Sequence, residues 1–550
     1  MKASVFLWIL IYFFAASCTS QTKVDLLVYN ATIYVVDSSF TTVDALVIKD
    51  GRIEATGKAN ELEKKYDARE KLDAGGKYIY PGFIDAHAHF VSYGTSLQTA
   101  DLTGTTSWDE ILTRLRDFEK KLAPEQWLIG RGWDQNDWQT REFPNNQKLN
   151  ELFPGRPVLL SRVDGHAAIA NQHALQLANV QPGRSITGGE IETSNGVLTG
   201  ILIDNAIDLV SSKIPLLNKE QVKKAILDAQ SNCFAAGLTT IDDCGLDFSS
   251  VELIKEMQAA NDLKMRLYIM LSDDKKNFDY LEKNGIIKTD RLNVRSFKVY
   301  GDGALGSRGA CLLQPYNDRP GYSGFLLSNP AHFDSVANWI SQRGFQMCTH
   351  AIGDSGNRTM LNVYGKYLKD KNDLRWRIEH AQVVNQNDFR LFGKFSIIPS
   401  VQPTHATSDM YWAGDRLGPE RVKGAYAYQQ LLEQNGWLPL GTDFPVEDIS
   451  PFKTFYAAVI RKDAKGWPAD GYQVENALTR EQALRGMTIW AAKSNFEEGE
   501  KGSLEPGKFA DFVILDKDIM KAPATELLTI QVLKTFIHGE AVFQKNKQRE

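Results

Sequence analysis

Eight short runs of β-branched and aromatic residues recur along the middle of this chain. They are 78–85 (YIYPGFID), 237–244 (GLTTIDDC), 265–270 (MRLYIM), 295–301 (RSFKVYG), 345–350 (FQMCTH), 375–380 (RWRIEH), 395–401 (FSIIPSV) and 437–443 (WLPLGTD). Amphipathic stretches of helical length, such as KEQVKKAILDAQSNCFAAG and SVANWISQRG, separate several of them. Strand–helix alternation implies parallel pairing, because a parallel neighbour is reached only through a crossover connection. Eight such units point to a closed (β/α)8 TIM barrel, an α/β fold expected here over 79–499. The spacing breaks once. About 150 residues separate the first run from the second, too many for a structureless loop. An inserted subdomain at about 95–215, lying over one end of the barrel, is the expectation.

The two ends have a different texture. Residues 22–78 carry VDLLVYNATIYVVD and DALVIKDGRIEATG with an Asp50-Gly51 turn; residues 500–547 carry ADFVILD and LKTFIHGEAVF with a turn at Gly539. These read as hairpin-rich strands. Neither end has enough strand to close a sheet alone, so both are expected to form one composite β-sandwich.

Residues 1–18 stand apart from the fold. Met1-Lys2 precedes an apolar run, Ala3–Ala16, which is short of the roughly 20 residues that span a bilayer. A basic start, an apolar centre and small closing residues make an export signal. Its Ala15-Ala16-Ser17-Cys18 ending resembles a bacterial lipoprotein signal, in which Cys18 would be acylated and hold an exported chain on the membrane, facing the periplasm. An ordinary cleaved signal peptide with an incidental cysteine is the alternative. The other cysteines, Cys233, Cys244, Cys311 and Cys348, lie in or beside apolar runs and read as buried small hydrophobes, with a Cys233–Cys244 disulfide left open. The formal charge of −5, from 63 basic and 68 acidic residues, gives no electrostatic reason to expect nucleic acid as a partner. With 43% apolar and 24% charged residues, the chain has ample core material, and disorder is excluded.

Chemistry concentrates at the ends of the eight runs. His87 and His89 end the first as His-Ala-His, and strand alternation puts residues i and i+2 on one face. His350 ends the fifth run, His380 the sixth and Asp443 the eighth. The C-terminal strand ends are where TIM-barrel sites gather, and histidine and carboxylate are the ligands zinc prefers. Lys298 sits inside a run that should be buried. There it must be paired, neutral or modified. A neutral amine beside two metals can capture carbon dioxide as a bridging carbamate; an ion pair with Asp302 or Asp443 is the alternative.

Together, PGFIDAHAH around His87 and His89, FKVYGDGALGSRGA, THAIGD at His350, RIEH at His380, GTDFPV at Asp443 and GSLEPGKFADFVILD resemble the metal-dependent amidohydrolase superfamily. More narrowly they resemble its YtcJ-like branch, amidohydrolase family 3, which includes N-substituted formamide deformylases. The resemblance runs from about residue 24 to 545. It implies metal ligands at His87, His89, carboxylated Lys298, His350, His380 and Asp443, with one or two divalent ions, zinc first. It implies hydrolysis of a non-peptide C–N bond in a small-molecule substrate by metal-activated hydroxide, with Asp443 as proton shuttle.

Further expectations are local. His166, in VDGHAAIAN, is a candidate donor to the substrate carbonyl, or else a structural histidine of the insert. Trp127, Trp133 and Trp138 could wall a pocket or fill the insert core. Ser307 and Arg308 follow the Lys298 strand, and Arg308 could meet a substrate carboxylate or form a salt bridge in its loop. Gln402 and His405 follow the seventh run and complete the candidate substrate contacts. Two other readings stay open: the same metal site acting on an ester, lactone or deaminated ring, and a metal-dependent binding lipoprotein without turnover.

Overall fold

A computed structural model describes residues 21–546; Cys18 and its proposed lipid lie outside them. Seven parallel strands follow one another in sequence order around a barrel: Phe83–Ala88, Leu238–Leu246, Arg266–Ser272, Leu292–Tyr300, Gln346–Ala351, Arg377–His380 and Ile398–Ser400. The eighth position is taken by segment 439–443. Its backbone bonds to the seventh strand side through Gly441 N to Val401 O (3.0 Å) and to the first strand through Ala86 N to Leu440 O (3.1 Å). Helices cross between strands, and their starts are written locally. Asn218 and Gln221 form a capping box ahead of Lys219–Ala235, and Asn329 caps Pro330–Arg343 with proline in its first turn. The strands are buried on both faces, as parallel strands under helices must be.

The two chain ends do meet in one sheet. Phe512–Leu515 pairs antiparallel with Tyr78–Pro81 of the long strand Tyr66–Pro81, and Val532–Ile537 and Glu540–Gln544 extend it. The other edge curls back, with Ile53 N bonding to Lys508 O (2.8 Å) and Ala510 N to Gly51 O (2.9 Å). The enclosed core mixes both ends: Val28, Ile33, Leu46 and Ile48 against Phe512, Ile514 and Phe536. Deleting residues 506–550 is therefore expected to destabilise the whole chain. Each such buried side chain contributes about 1.5–3 kcal/mol, and a few together rival a typical domain stability of about 5–15 kcal/mol. Size-exclusion and thermal melting check this; a soluble truncation with an unchanged melting temperature would contradict it.

The insert is a sheet of its own. Its strands run in the order Gly189–Ser194, Val197–Asp204, Ala167–Ala170, Val158–Arg162, Leu128–Trp133, Ala100–Asp101. One face packs Ile111, Leu115, Trp133, Trp138 and Ile169; the other packs Leu159, Ala168, Leu175 and Leu202. The possible Cys233–Cys244 disulfide is not formed: both thiols are free and buried. Among the described residues no helix is long and apolar enough to cross a membrane.

Candidate metal centre

Buried polar side chains fix the position of His87 from below. Asn495 Nδ2 donates to Asp242 (2.6 Å), Asp242 accepts from Arg377 (2.9 Å), Arg377 pairs with Glu379 (2.6 Å), and Glu379 lies 2.5 Å from His87 Nδ1. Burial would raise the Glu379 carboxyl, but Arg377 and His87 outweigh it and hold it well below the usual carboxylate range. An anionic Glu379 accepts a hydrogen bond from His87 Nδ1, so that Nε2 carries the lone pair of a ligand atom. The approach of the eighth segment is close here. A Cβ on Gly441 would sit 2.5 Å from the His87 amide nitrogen, so only glycine fits.

The remaining strand ends bring their side chains to the same place. Ring centroids lie 4.7 Å apart for His87 and His380, 4.6 Å for His380 and His350, and 5.7 Å for His87 and His89. Asp443 Oδ1 lies 3.2 Å from His89 Nε2 and 3.6 Å from His87 Nε2, and Oδ2 lies 3.2 Å from His405 Nε2. Donor atoms of His87, His89 and Asp443, and again of His380, His405 and Asp443, fall within 4.8 Å of one another. His350 belongs to neither triplet, although its ring packs on His380. His380 and Asp443 both hold left-handed backbone, with φ of 73° and 66°. Such strain in non-glycine residues gathers at functional sites.

The electrostatics suit a cation. Burial, then the Lys298 charge, lowers the His87 imidazole to about 4, and burial puts His350 and His380 well below their ordinary value. All three are neutral at pH 7, the form that ligates metal. Burial would raise Asp443, but hydrogen bonding to His405 and His89 and the nearby imidazoles hold it well down, so it is anionic. His350 Nε2 and His380 Nδ1 are buried with no hydrogen-bond partner, and Asp443 Oδ1, also buried, has the His89 ring nitrogen beside it at 3.2 Å. Buried polar atoms are rarely left unpaired, and imidazole nitrogens with a carboxylate are donor types that suit a divalent ion.

Lys298 is wholly buried, its Nζ 3.3 Å from His87 Nε2. The ion pair it could have formed with Asp302 is not made. Asp302 is spent on the backbone amides of Cys311, Ile352 and Gly353, at 2.8–2.9 Å. Burial pushes the Lys298 ammonium down, but Cys244, Tyr300, Glu379 and Asp443 outweigh it and the net direction is up. Burial alone therefore does not neutralise this amine.

These groups floor a cavity of about 670 Å³ whose far wall is the insert. His166 is on that wall. Its Nδ1 lies 2.6 Å from Asp204, and its ring lies 4.9 Å from that of His350. Burial would lower His166, but Asp204 outweighs it and the pKa is raised, which favours a donor. Of the expected substrate contacts, His405 lines the cavity and four others do not. Trp133 is buried in the insert core with Nε1 donating to Leu160 O (2.9 Å). Ser307 is buried against Ala304 O (3.4 Å), Arg308 pairs with Asp318 (2.9 Å), and Gln402 donates to Ser400 O (3.1 Å). In their place stand Arg131, Asp134, Arg162 and Asp164, which sequence reasoning passed over because they sit on a different sheet from the barrel motifs.

A family model described as the amidohydrolase family matches residues 70–543. The chain is 29% identical over 528 residues to the putative amidohydrolase YtcJ of Bacillus subtilis (strain 168), covering 94% of this chain and 99% of that protein. It is 32% identical to Protein LONG AFTER FAR-RED 3 of Arabidopsis thaliana, covering 94% of this chain and 91% of that one. It is 26% identical to an N-substituted formamide deformylase of Arthrobacter pascens, covering 95% and 98%. Among solved structures, an uncharacterized metal-dependent hydrolase from Pyrococcus horikoshii OT3 aligns with a TM-score of 0.74 at 27% identity, covering 91% of this chain and 99% of that one.

Proposed function

The chain belongs to the amidohydrolase family, and on that premise we propose that it hydrolyses a non-peptide, formamide-like C–N bond in a small molecule, with one or two zinc ions as cofactor. One observation supports this above the rest: the buried side chains of His350, His380 and Asp443 gather beside His87 and His89 at the floor of the cavity, with a ring nitrogen of His350 and of His380 left without a hydrogen-bond partner. In this reading His87, His89, His350, His380, Asp443 and a carbamate on Lys298 hold the metal. When bound, the ion supplies Lewis acidity at the carbonyl and lowers the pKa of water toward about 7.

The protein's own residues do the rest. Asp443, anionic and facing the cavity, accepts the proton of the attacking water and passes it to the departing amine. His405, 3.2 Å from Asp443 Oδ2, holds the carboxylate in place. His166, whose protonated form Asp204 favours, donates to the carbonyl oxygen as negative charge builds on it. Lys298 gives up its proton more readily once the negative charge of Glu379 and Asp443 is balanced by a bound cation, which opens the way to carboxylation.

The test joins metal analysis to turnover. Protein purified without chelator should carry about one to two zinc ions per chain and cleave members of a panel of N-formyl and N-acetyl amines. His87→Ala with His89→Ala should remove most of the metal and the activity together. Full metal content in that double variant, or cleavage of esters and lactones but no amide, would refute the reading.

A further inference from the structure

Two arginines of the insert face the cavity, and their situations differ. Arg162 is wholly buried and clasped by Asp134 and Asp164 on its two terminal nitrogens, with Nε donating to Gln135 (2.8 Å). Arg131 makes no ion pair among the described residues. Its Nη2 donates to Val163 O (2.9 Å), while its Nε is buried with no partner at all. Burial holds the Arg131 guanidinium below its ordinary value, with Asp164 and Asp443 the carboxylates whose charge reaches it. The side chain is partly exposed into the cavity, and the charges of Asp164 and Asp443 reach it without forming an ion pair among the described residues.

The backbone aims it there. Register in strand Leu128–Trp133 shifts between Arg131, opposite Ser161, and Trp133, opposite Arg162. The extra residue is Gly132, at φ 110°, where a Cβ would collide with Thr103. Such a bulge reverses the side-chain alternation. Trp133 turns into the insert core and Arg131 is left facing the cavity.

Most of the acids nearby are engaged elsewhere: Asp134 and Asp164 belong to Arg162, Asp448 pairs with Lys453 (2.7 Å), and Glu447 accepts from Ser408 (2.6 Å). Asp101, opposite Arg131 in the sheet, accepts from the Thr103 amide (2.9 Å) and makes no ion pair with the arginine among the described residues. Among the described residues, Arg131 is thus a cation of the cavity, outside the candidate metal centre, that forms no ion pair. It is also near that centre. Its acceptor Val163 opens the loop that carries His166, whose ring lies 4.9 Å from His350.

We propose that Arg131 binds a carboxylate of the substrate, so that the amide cleaved here is an N-acylated amino acid or a similar amide bearing an anionic group. This rests on the amide-hydrolase reading above. A guanidinium offers a planar fork that matches a carboxylate with two parallel hydrogen bonds. It would fix the substrate at one end while the scissile amide lies over the metal ligands.

The experiment compares N-formyl and N-acetyl amino acids with their primary carboxamide counterparts on the zinc-loaded full chain. Wild type should favour the carboxylates by about 10- to 100-fold in kcat/KM, the range of a charge-assisted hydrogen bond. Arg131→Met should erase that preference by raising KM for the carboxylates, with the carboxamides nearly unchanged; Arg131→Lys should fall between. Equal treatment of both series by wild type, a comparison that needs no variant, overturns the proposal, as does an equal loss on both in Arg131→Met. If no amide is cleaved at all, the hydrolase reading fails separately. Calorimetric binding of the same pairs then decides: tighter carboxylate binding that Arg131→Met abolishes supports the site, and no binding or equal affinity overturns it.

Discussion

Lys298→Ala should lose at least about a thousandfold in kcat/KM, the scale of removing one major electrostatic contribution to a reaction, and should lose metal with it. The lysine is buried 3.3 Å from His87 Nε2 and forms no ion pair with a carboxylate among the described residues. Short carboxylic acids added to the variant should restore part of both metal and activity by filling the place of the carbamate. Lys298→Arg should not, since a guanidinium stays protonated and cannot be carboxylated. The arginine variant decides the matter. Near-normal turnover in Lys298→Arg would mean that the residue serves only as a positive charge, and the bridged two-metal arrangement would have to be given up for a single ion.

Asp443→Asn should cost about a hundred- to ten-thousandfold in kcat, the range of a lost general base. The amide keeps the shape of the side chain and removes its charge and its capacity to take a proton. Because Asp443 is also placed as a ligand, metal content should be measured beside kcat. Retained metal with lost turnover identifies proton transfer; loss of both identifies ligation as the larger part. Turnover within threefold of wild type would remove Asp443 from the mechanism.

The cluster of histidines and Asp443 at the barrel mouth was the legible part of the sequence, for a physical reason. A parallel barrel strand ends at the mouth, so a polar residue closing an apolar run announces its own location. His87, His89, His350, His380 and Asp443 were found this way. His380 shows the limit of the rule: Arg377 and Glu379 share the inward face of its strand, and His380 reaches the mouth because its backbone turns to φ 73°. The split end-sheet was legible from the shortage of strands at either end. The cavity wall was not. Trp133 and Arg131 are two residues apart, and simple alternation puts them on one face, yet a bulge at Gly132 separates them. Arg308 was a reasonable anion partner until the fold brought Asp318 within 2.9 Å. Partnerships between loops leave no periodic mark in the chain.

The sheet shared by the two ends also sets an order of events during synthesis. Strand Tyr66–Pro81 leaves the ribosome long before its partner Phe512–Leu515. Until then one of its edges is unpaired, and such edges invite association with other chains. Contacts this distant in sequence close late and slowly. The nascent protein must pass most of its translation with this sheet open, and a chaperone that covers strand edges would raise its yield more than one that protects helices.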